Sequence, residues 1–319
     1  MVSFEEGSVL LGELAGITVN TKQVERSAEA LGSEIADDER HDVTAMDQTP
    51  LPPTLYLGMD GTGIPIRAAE LAGRCGKQPD GTSKTREVKL CTVWSAEDRD
   101  EQDRPVRDVG SVTYSAAIES AATPDASMSR SEFTERVLRE TARRRFCLSE
   151  RTVVLGDGAP WIWNIAQELF PKALQIVDRF HVKQHLSDVA KALHPGNAYA
   201  ATLWAGSRHD ELDDGKLAAL LRALRPHLDS SEEARKCYHY LRRNRRRMRY
   251  PRFHQLGLCT SSGVVEAGCK VTITTRLKRA GMHWTVSGAN AIIALRCSIL
   301  SGRFEDFWER RSTLQAKAA

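Results

Sequence analysis

Leu57-Gly-Met-Asp60-Gly-Thr-Gly63 is the stretch that decides how this chain of 319 residues folds. The apolar residues before Asp60 predict a buried β-strand over 55–59, Asp-Gly-Thr-Gly predicts a turn, and 64–66 predicts the return strand. An aspartate that directly follows a buried strand lies at the edge of a sheet, where its oxygens can reach a bound ion. The alternative is that Asp-Gly serves only as a turn signal.

Two further stretches place a single carboxylate in a similar setting. Val153-Val-Leu-Gly-Asp157-Gly-Ala ends another apolar strand, and Gly263-Val-Val-Glu266-Ala-Gly-Cys-Lys270 places a glutamate on a predicted helix among small, uncharged neighbours. Mg²⁺ prefers oxygen ligands and keeps several waters, so it needs few protein residues. Two aspartates and a distant glutamate can hold a pair of such ions, which stabilises both the attacking and the leaving oxygen of a phosphodiester. Taken alone, Glu266 would be an ordinary solvated helix residue.

The order of predicted elements indicates a mixed α/β fold. Strands are expected at 55–59, 64–66, 86–95, 151–155 and 173–177, and helices at 131–145 and 161–170. Antiparallel strands followed by helix–strand units describe an RNase H-like mixed five-stranded sheet with helices on both faces. Because the first and fourth strands of such a sheet are neighbours, Asp60 and Asp157 are expected at the same edge.

Four segments are predicted along the chain. Residues 1–49 hold two helices, the second of which begins at the capping-box pair Asn20 and Gln23, and a proline-rich linker follows. Residues 54–181 form the first part of the core, 182–258 an all-α insertion, and 259–311 the closing helices. The N-terminal helix pair is either a helix-turn-helix DNA reader or a packing or dimerisation element, and its acidity favours the second interpretation.

Composition and charge narrow the class of protein. A hydrophobic content of 41% with 27% charged residues is typical of a soluble globular chain, and no apolar run is long enough to span a membrane. Met1-Val-Ser-Phe-Glu-Glu6 has neither a basic region nor an apolar run, so secretion is not expected. The seven cysteines are scattered without a CxxC pair, which argues against a zinc site and favours a reducing cytoplasm. Residues 1–50 hold eleven acidic and three basic side chains, so the remainder is strongly basic and suits a polyanionic partner.

The strongest basic patch lies in 235–252, which contains nine basic and no acidic residues. Such a density of arginine favours phosphate contact over a merely solvated face. The candidates for DNA contact, including basic residues near the closing helices, are Arg242, Arg243, Arg245, Arg246, Arg247, Arg249, Lys270, Lys278 and Arg279. Trp204 and Trp284 are either core residues or rings that stack on an unpaired base.

Asp178-Arg-Phe-His181 ends the fifth predicted strand. One interpretation is a helix N-cap followed by an incidental histidine. The other is an accessory pair that positions substrate or supports the ligands beside the metal ions. Asp178 is also a rival to Asp157 as the second ligand. Topology favours Asp157, because the fourth strand borders the first and the fifth lies about 4.8 Å further out.

Several uncommon sequence motifs occur in order along nearly the whole chain. With them the chain resembles bacterial insertion-sequence transposases of the ISKra type. The motifs are Asp60-Gly-Thr-Gly-Ile-Pro, Thr85-Arg-Glu-Val-Lys89, Gly156-Asp-Gly-Ala-Pro-Trp-Ile-Trp163, Asp178-Arg-Phe-His181, Val265-Glu-Ala-Gly-Cys-Lys270 and Lys278-Arg-Ala-Gly-Met-His-Trp284. The resemblance implies a DDE transposase in which Asp60, Asp157 and Glu266 are catalytic and bind two Mg²⁺ or Mn²⁺ ions. It places Asp178-x-x-His181 at the Cys-x-x-His position of hAT and Mutator-like elements.

The resemblance also implies partners and a location. Double-stranded DNA, as element ends and target, is the expected partner of a homo-oligomer, in the cytoplasm and associated with the nucleoid, without a membrane. Family members are generally longer at the N-terminus, so a shortened chain is expected. Two other hypotheses stay open, namely a structure-selective nuclease on the same fold and a catalytically silent DNA-binding relic. Strand transfer separates the transposase from the nuclease, and any catalysis separates both from the relic.

Overall fold

A mixed five-stranded sheet lies at the centre of the computed structural model, which describes residues 2–44, 50–76, 78, 81–122 and 129–318. The strands are β1 (Thr54–Pro65), β2 (Thr85–Trp94), β3 (Asp98–Arg99), β4 (Pro105–Val106), β5 (Thr113–Ala117), β6 (Arg151–Gly156) and β7 (Leu174–Val177). The sheet order is β5-β2-β1-β6-β7, and β3 with β4 forms a separate ribbon. β1 runs antiparallel to β2 and parallel to β6. The mixed five-stranded sheet expected from the sequence is therefore confirmed.

Helices cover the sheet and continue beyond it. They are α1 (Phe4–Ala15), α2 (Thr21–His41), α3 (Glu132–Arg143), α4 (Pro160–Leu169), α5 (Arg179–Leu193), α6 (Ala198–Asp213), α7 (Leu217–Leu224), α8 (Glu232–Asn244), α9 (Tyr250–Gln255), α10 (Gly263–Gly268), α11 (Thr275–Leu277), α12 (Val286–Leu300) and α13 (Phe304–Ala318). Between α10 and α11 the segment Cys269–Thr274 is π-helical. No helix of the described residues is long and apolar enough to cross a membrane.

The predicted turn at Asp60 is wrong, because β1 passes straight through it. One antiparallel ladder pairs Asp60 with Leu90 and continues to Pro65 opposite Thr85. Asp-Gly-Thr-Gly is a turn signal only locally, and the ladder with β2 overrides it. Gly61 suits this ladder for a steric reason, since an added Cβ would lie 2.5 Å from the Glu87 carboxylate.

The two strands predicted at 55–59 and 64–66 are therefore one strand, and the count of five is completed by a strand that was not predicted. This strand is β5, which pairs with β2 on the outer edge of the sheet and is fully buried. Its sequence, Thr-Tyr-Ser-Ala-Ala, contains no apolar β-branched run. Nothing in its local pattern distinguishes it from a loop.

Apolar side chains pack on both faces of the sheet. On β2, Val88 and Leu90 belong to one cluster, while Cys91 and Val93 belong to the other. The first is covered by α12 and the helical stretch 269–277, and the second by α3 and α4. This alternation gives the sheet a helical layer on each face, as the sequence predicted.

The N-terminal helix pair packs on the closing helices. On α2, Gly32 lies so close to α12 that an added Cβ would be 2.1 Å from the carbonyl oxygen of Ala291. The next turn buries Ile35 against Ala294 and Phe307. The packing interpretation of this pair is the one that the contacts of α2 support.

Residues 182–258, predicted as an all-α insertion, are built from the helices α5 to α9 and the short turns between them. Helix α8 ends at Asn244, where a 3₁₀ turn at Arg245–Arg247 and then α9 follow. The arginine-rich run is therefore bent. Buried side chains of α7 and α8, such as Leu220 and Leu241, join the same apolar cluster as β6 and β7.

Candidate functional site

Asp60 and Asp157 lie level with each other on adjacent parallel strands. Gly58 of β1 pairs with Leu155 of β6, and each aspartate follows two residues later. Side chains two residues apart point to the same face of a strand. Continued by two residues, this register places the backbone positions of the two aspartates about one strand spacing, roughly 4.8 Å, apart.

Asp178 continues this row on the next strand. Gly156 of β6 pairs with Val177 of β7, so Asp157 and Asp178 are level as well. Asp178 is thus two strand spacings from Asp60, or about 10 Å. This is the topology from which Asp157 was preferred as the second ligand.

The Asp60 carboxylate is partly buried beside the helix that carries Glu266. Its Oδ1 accepts a hydrogen bond from the Gly61 N–H at 2.6 Å, and its Oδ2 accepts one from Sγ of Cys269 at 3.4 Å. Burial raises the pKa of Asp60, and the negative charge of Asp157 acts in the same direction, against the two hydrogen bonds and His181. A cation bound here would favour the ionised form that burial disfavours.

The loop that carries Asp157 is held by the helical insertion. Asp157 Oδ1 accepts a hydrogen bond from the Ala159 N–H at 2.8 Å. The Asp157 backbone carbonyl accepts one from the Tyr240 hydroxyl at 2.7 Å. Gly158, at a φ of +99°, leaves room for this ring, since an added Cβ would lie 2.5 Å from it. The α8 helix therefore fixes the backbone on which Asp157 stands.

Asp178 is buried and its two oxygens are occupied. Oδ1 accepts a hydrogen bond from the Phe180 N–H at 2.8 Å as the N-cap of α5. Oδ2 accepts hydrogen bonds from the Ser262 hydroxyl and from Nδ1 of His181, the latter at 3.0 Å. The hydrogen bond to Asp178 raises the pKa of His181. The N-cap interpretation therefore describes Asp178, and His181 is not incidental, because Asp178 orients its ring.

Glu266 lies on α10 with an exposed side chain. Its neighbour Val265 is buried over Gly58, where an added Cβ would lie 2.2 Å from a Val265 methyl group. This close approach sets α10 directly against β1. One cavity of about 510 Å³ is lined by all five residues predicted for the catalytic centre, namely Asp60, Asp157, Asp178, His181 and Glu266.

The carboxylates suit Mg²⁺ or Mn²⁺ by ligand chemistry. Asp60, Asp157 and Glu266 offer only oxygen, the ligand atom these ions prefer, and the cavity leaves room for the waters that Mg²⁺ keeps. In the described part of the chain, no three His, Cys, Asp or Glu side chains are grouped closely enough to hold an ion. The residues therefore fit the ions in chemical type, while the three carboxylates do not converge on one point.

The predicted basic patch forms one groove of about 820 Å³ on α8, the 3₁₀ turn and α9. Its seven arginines are Arg242, Arg243, Arg245, Arg246, Arg247, Arg249 and Arg252. The groove also contacts the start of β7, at Leu174 and Gln175. The structure therefore brings the predicted arginines together, at a distance from the acidic cavity.

The two tryptophans proposed to stack on a base lie in different surroundings. Trp284 is buried, its Nε1 donates a hydrogen bond to the Leu277 carbonyl at 3.1 Å, and Phe4 packs against its ring. The core interpretation is the correct one for Trp284, because its ring is not free to stack on a base. Trp204 is partly buried, with the Arg208 guanidinium 5.4 Å from its ring centre.

The three basic candidates near the closing helices lie in different surroundings. Lys270 is exposed on the π-helical segment. Lys278 donates a hydrogen bond to the Thr62 hydroxyl, two residues beyond Asp60. Arg279 is 3.6 Å from Glu6 of α1. Of these three residues, Lys278 is thus the one whose described hydrogen bond is to β1, the strand that contains Asp60.

Three residues of the site were given no role by the sequence. Tyr240 holds the Asp157 loop, Cys269 contacts the Asp60 carboxylate, and Ser262 contacts Asp178. Cys269 and Ser262 flank Glu266 within the stretch of small residues, which was the available signal. Tyr240 had none, because it contacts a residue 83 positions away in sequence.

Comparison with known proteins places the chain in a family. Residues 84–311 match UPF0236, an uncharacterised protein family. The chain belongs to UPF0236. No curated protein matches this UPF0236 member. Among solved structures it is similar to the Drosophila P element transposase strand transfer complex, at 9% identity over 94% of this chain and 84% of that chain, with a TM-score of 0.28. At that TM-score the similarity supports no conclusion about function, so the function is inferred from the site.

Proposed function

We propose that this UPF0236 member is a DDE transposase of RNase H-like fold, which cuts and transfers DNA strands with two Mg²⁺ or Mn²⁺ ions. The observation that carries the proposal is the level pair Asp60 and Asp157 on adjacent strands, with Glu266 in the same cavity. The strand order, with β1 between β2 and β6, supports the RNase H-like interpretation. The sequence motifs shared with ISKra-type transposases support the assignment to that group.

Each carboxylate would contribute in a way that follows from its surroundings. When bound, two Mg²⁺ ions stabilise the attacking and leaving oxygens of a phosphodiester. Asp60 and Asp157 would bind them from fixed backbone, since one lies within a paired strand and the other in a loop held by Tyr240. Glu266, which is exposed, would approach from α10 once ion and DNA occupy the cavity.

His181 would donate a proton or hydrogen bond to the DNA backbone. Its Nδ1–H is fixed on Asp178, so Nε2 remains for a substrate in the cavity. Its raised pKa keeps more of the ring protonated near neutral pH than in a free histidine. Asp178 would orient His181 and not bind metal, because its oxygens already accept three hydrogen bonds.

The arginine groove, with Lys270, Lys278 and Arg279, would bind the phosphates of double-stranded DNA. The protein would act as a homo-oligomer on element ends and target, associated with the nucleoid in the cytoplasm. Trp204, which is partly buried, remains a candidate for DNA contact at the surface of the insertion. These assignments rest on the basic charge of the insertion and on the resemblance.

Substitution of the three carboxylates tests the catalytic assignment. Asp60→Asn, Asp157→Asn and Glu266→Gln should each lower cleavage by at least about a hundredfold, as expected when a group acting on the transition state is lost. DNA affinity should change little, because the arginine groove lies elsewhere. Cleavage of a duplex from the DNA flanking the gene, in Mg²⁺ or Mn²⁺, gives the first measurement, and a gel shift gives the second.

Matched controls lie on α13, far along the chain from the cavity. Asp306→Asn and Glu305→Gln change the same chemical groups at exposed positions and should cleave normally. Cleavage at the unsubstituted rate by any of the three site variants would remove that residue from the assignment.

The two other hypotheses are separated by product analysis. Joining of a cut 3′ end to a target plasmid supports the transposase, while cleavage without joining supports a structure-selective nuclease. DNA binding with neither reaction supports a catalytically silent relic.

A further inference from the structure

The arginine groove has the properties of a phosphate-binding surface held in one shape. Six of its seven arginines are exposed, and none of the seven forms an ion pair with a carboxylate of the described residues. Arg247 is the half-buried exception. Its guanidinium lies 4.5 Å from the Trp163 ring centre, and it donates hydrogen bonds to Gln175 at 2.7 Å and Asn244 at 3.1 Å. The turn is therefore attached to α4 and β7.

A second cavity adjoins this groove and reaches the loop that carries Asp157. It has a volume of about 460 Å³ and shares His239 and Arg243 with the groove. At its other end it is lined by Gly158, which follows Asp157, and by Tyr240. Its one acidic lining residue is Glu232, which is 2.6 Å from Lys236. A path lined mainly by basic and neutral groups therefore leads along α8 to the Asp157 loop.

Strand β7 gives the separation between the arginine groove and the acidic edge of the sheet. The groove contacts β7 at its start, from Ala173 to Gln175, and Asp178 marks the acidic edge at the other end of the same strand. Three to five residues of strand correspond to about 10–17 Å at roughly 3.3 Å per residue. A DNA strand advances about 3.4 Å per nucleotide, so this separation corresponds to about three to five nucleotides.

We infer that the arginine groove binds the backbone of the same duplex that the acidic cavity cuts, about three to five nucleotides from the cut phosphate. The inference rests on the proposed function and adds a position to it. The groove holds the duplex at a fixed distance from Asp157, because α8 carries Arg242 and Arg243 of the groove as well as Tyr240, which contacts the Asp157 backbone, and the other arginines follow directly after it. The spacing between contact and cut is then a property of the insertion.

Scanning with neutral phosphates tests this position. The probes are short duplexes tiling the DNA that flanks the gene, and the one that is cut identifies the cut phosphate. Methylphosphonate then replaces one phosphate at a time. Binding by the unsubstituted protein should weaken several-fold at about three to five nucleotides from the cut. The Arg245→Ala/Arg246→Ala protein should bind more weakly overall and lose this position-specific effect.

The control protein carries Arg40→Ala and Arg104→Ala, two exposed arginines outside the groove, and should retain the effect. Interference that lies a full helical turn away, or that persists in the Arg245→Ala/Arg246→Ala protein, overturns the inference. If no duplex is cut, the proposed function and the predicted position both fail. A random-sequence duplex then still tests the groove, since an unchanged slope of affinity against salt in the double variant shows that it does not bind phosphate.

Discussion

The three level aspartates differ in what already contacts their carboxylates. Asp60 accepts hydrogen bonds from one backbone amide and one thiol, and Asp157 accepts one from a backbone amide. Asp178 accepts hydrogen bonds from a backbone amide, an imidazole and a hydroxyl. A carboxylate oxygen that binds an ion instead leaves its hydrogen-bond donor without an acceptor. Each buried donor left in this way costs about 1–3 kcal/mol. Three equivalent strand positions therefore carry two candidate ligands and one orienting group.

At this scale, Asp178→Asn should lower the pKa of His181, because the hydrogen bond to Asp178 is the largest cause that raises it. The folded-state pKa lies above the ordinary value of 6.5. The interaction therefore stabilises the fold fully below that value, and the contribution is lost as the pH rises through the folded-state pKa. An NMR titration of the His181 ring measures the change.

Asp188→Asn is the control for this titration, since Asp188 is an exposed carboxylate on the same helix, α5. It should leave the pKa of His181 unchanged. The same pKa in Asp178→Asn as in the unsubstituted protein would mean that Asp178 does not orient the ring.

Helix α8 is the element that joins two parts of the candidate site. Arg242 and Arg243 of its last turn line the groove. Tyr240 contacts the Asp157 backbone, and the centre of its ring lies 4.4 Å from that of the tilted His185 ring. An element with contacts at both places transmits a shift at one of them to the other. This is the structural reason to treat the insertion as part of the catalytic unit.

The expected consequence is that Tyr240→Phe raises the Mg²⁺ concentration needed for half-maximal cleavage by about twofold to tenfold. This range corresponds to the loss of one hydrogen bond, about 0.5–1.5 kcal/mol. DNA affinity should stay the same, because the arginines are unchanged. A metal titration of cleavage and a gel shift measure the two quantities.

Tyr199→Phe serves as the matched control, since Tyr199 is 76% exposed on α6. It should leave the metal requirement unchanged. If Tyr240→Phe weakens DNA binding and leaves the metal requirement unchanged, Tyr240 acts on DNA and not through Asp157.

At the scale of the whole molecule, one buried ion-pair cluster joins distant parts of the chain. Arg303 lies 3.0 Å from Glu39 of α2 and 3.0 Å from Glu140 of α3. Glu140 is fully buried. Burial alone would raise its pKa, but the charges of Arg303 and Arg143 outweigh burial and lower it to about 2. The N-terminal helix pair, a sheet-covering helix and the C-terminal helix are therefore held by one set of charges.

Arg303→Met should lower the free energy of unfolding by about 3–5 kcal/mol at neutral pH, because it removes the ion-pair partner of the buried Glu39 and one of the two partners of Glu140. With its pKa lowered, Glu140 stabilises the fold above its ordinary value of 4.5, and this is lost as the pH falls towards 2. The difference between variant and unsubstituted protein should therefore shrink in acid. Urea unfolding at several pH values measures it.

Arg311→Met is the comparison on α13, because Arg311 pairs with Glu34 at a partly exposed position. It should cost less than about 1 kcal/mol. Equal costs for the two variants would mean that the buried cluster contributes no more than a surface pair.

The sequence predicts those features that depend on neighbours in the chain. The capping box of Asn20 and Gln23 is present, α3 lies within the predicted 131–145, and Asp157 follows a strand. These features are recognisable because a cap or a strand end is decided within about four residues. The expectation that Asp60 and Asp157 lie at the same edge of the sheet also came from the sequence, since it depends only on the order of the strands.

Features decided by distant pairing were not predictable. β1 continues through Asp60 because β2 pairs with it, and β5 is a strand because it pairs with β2 at the edge of the sheet. Local composition indicates the opposite in both cases. The contact of Tyr240 with Asp157 depends in the same way on how the insertion folds back, which no spacing along the chain encodes.

The winding of the helix beyond Glu266 has a consequence for chain length. An α-helix turns by about 100° per residue, at 3.6 residues per turn, and a π-helical turn contains an extra residue. Such a segment, Cys269–Thr274, separates Glu266 from the buried Leu277. The direction of Glu266 relative to the core is thus set by how many residues lie between them and by how these residues wind. Deleting one residue from Cys269–Thr274 would convert this segment to α-helix and leave Glu266 facing the cavity it shares with Asp60, whereas deleting one residue from a purely α-helical stretch would rotate it by about 100° around the helix axis.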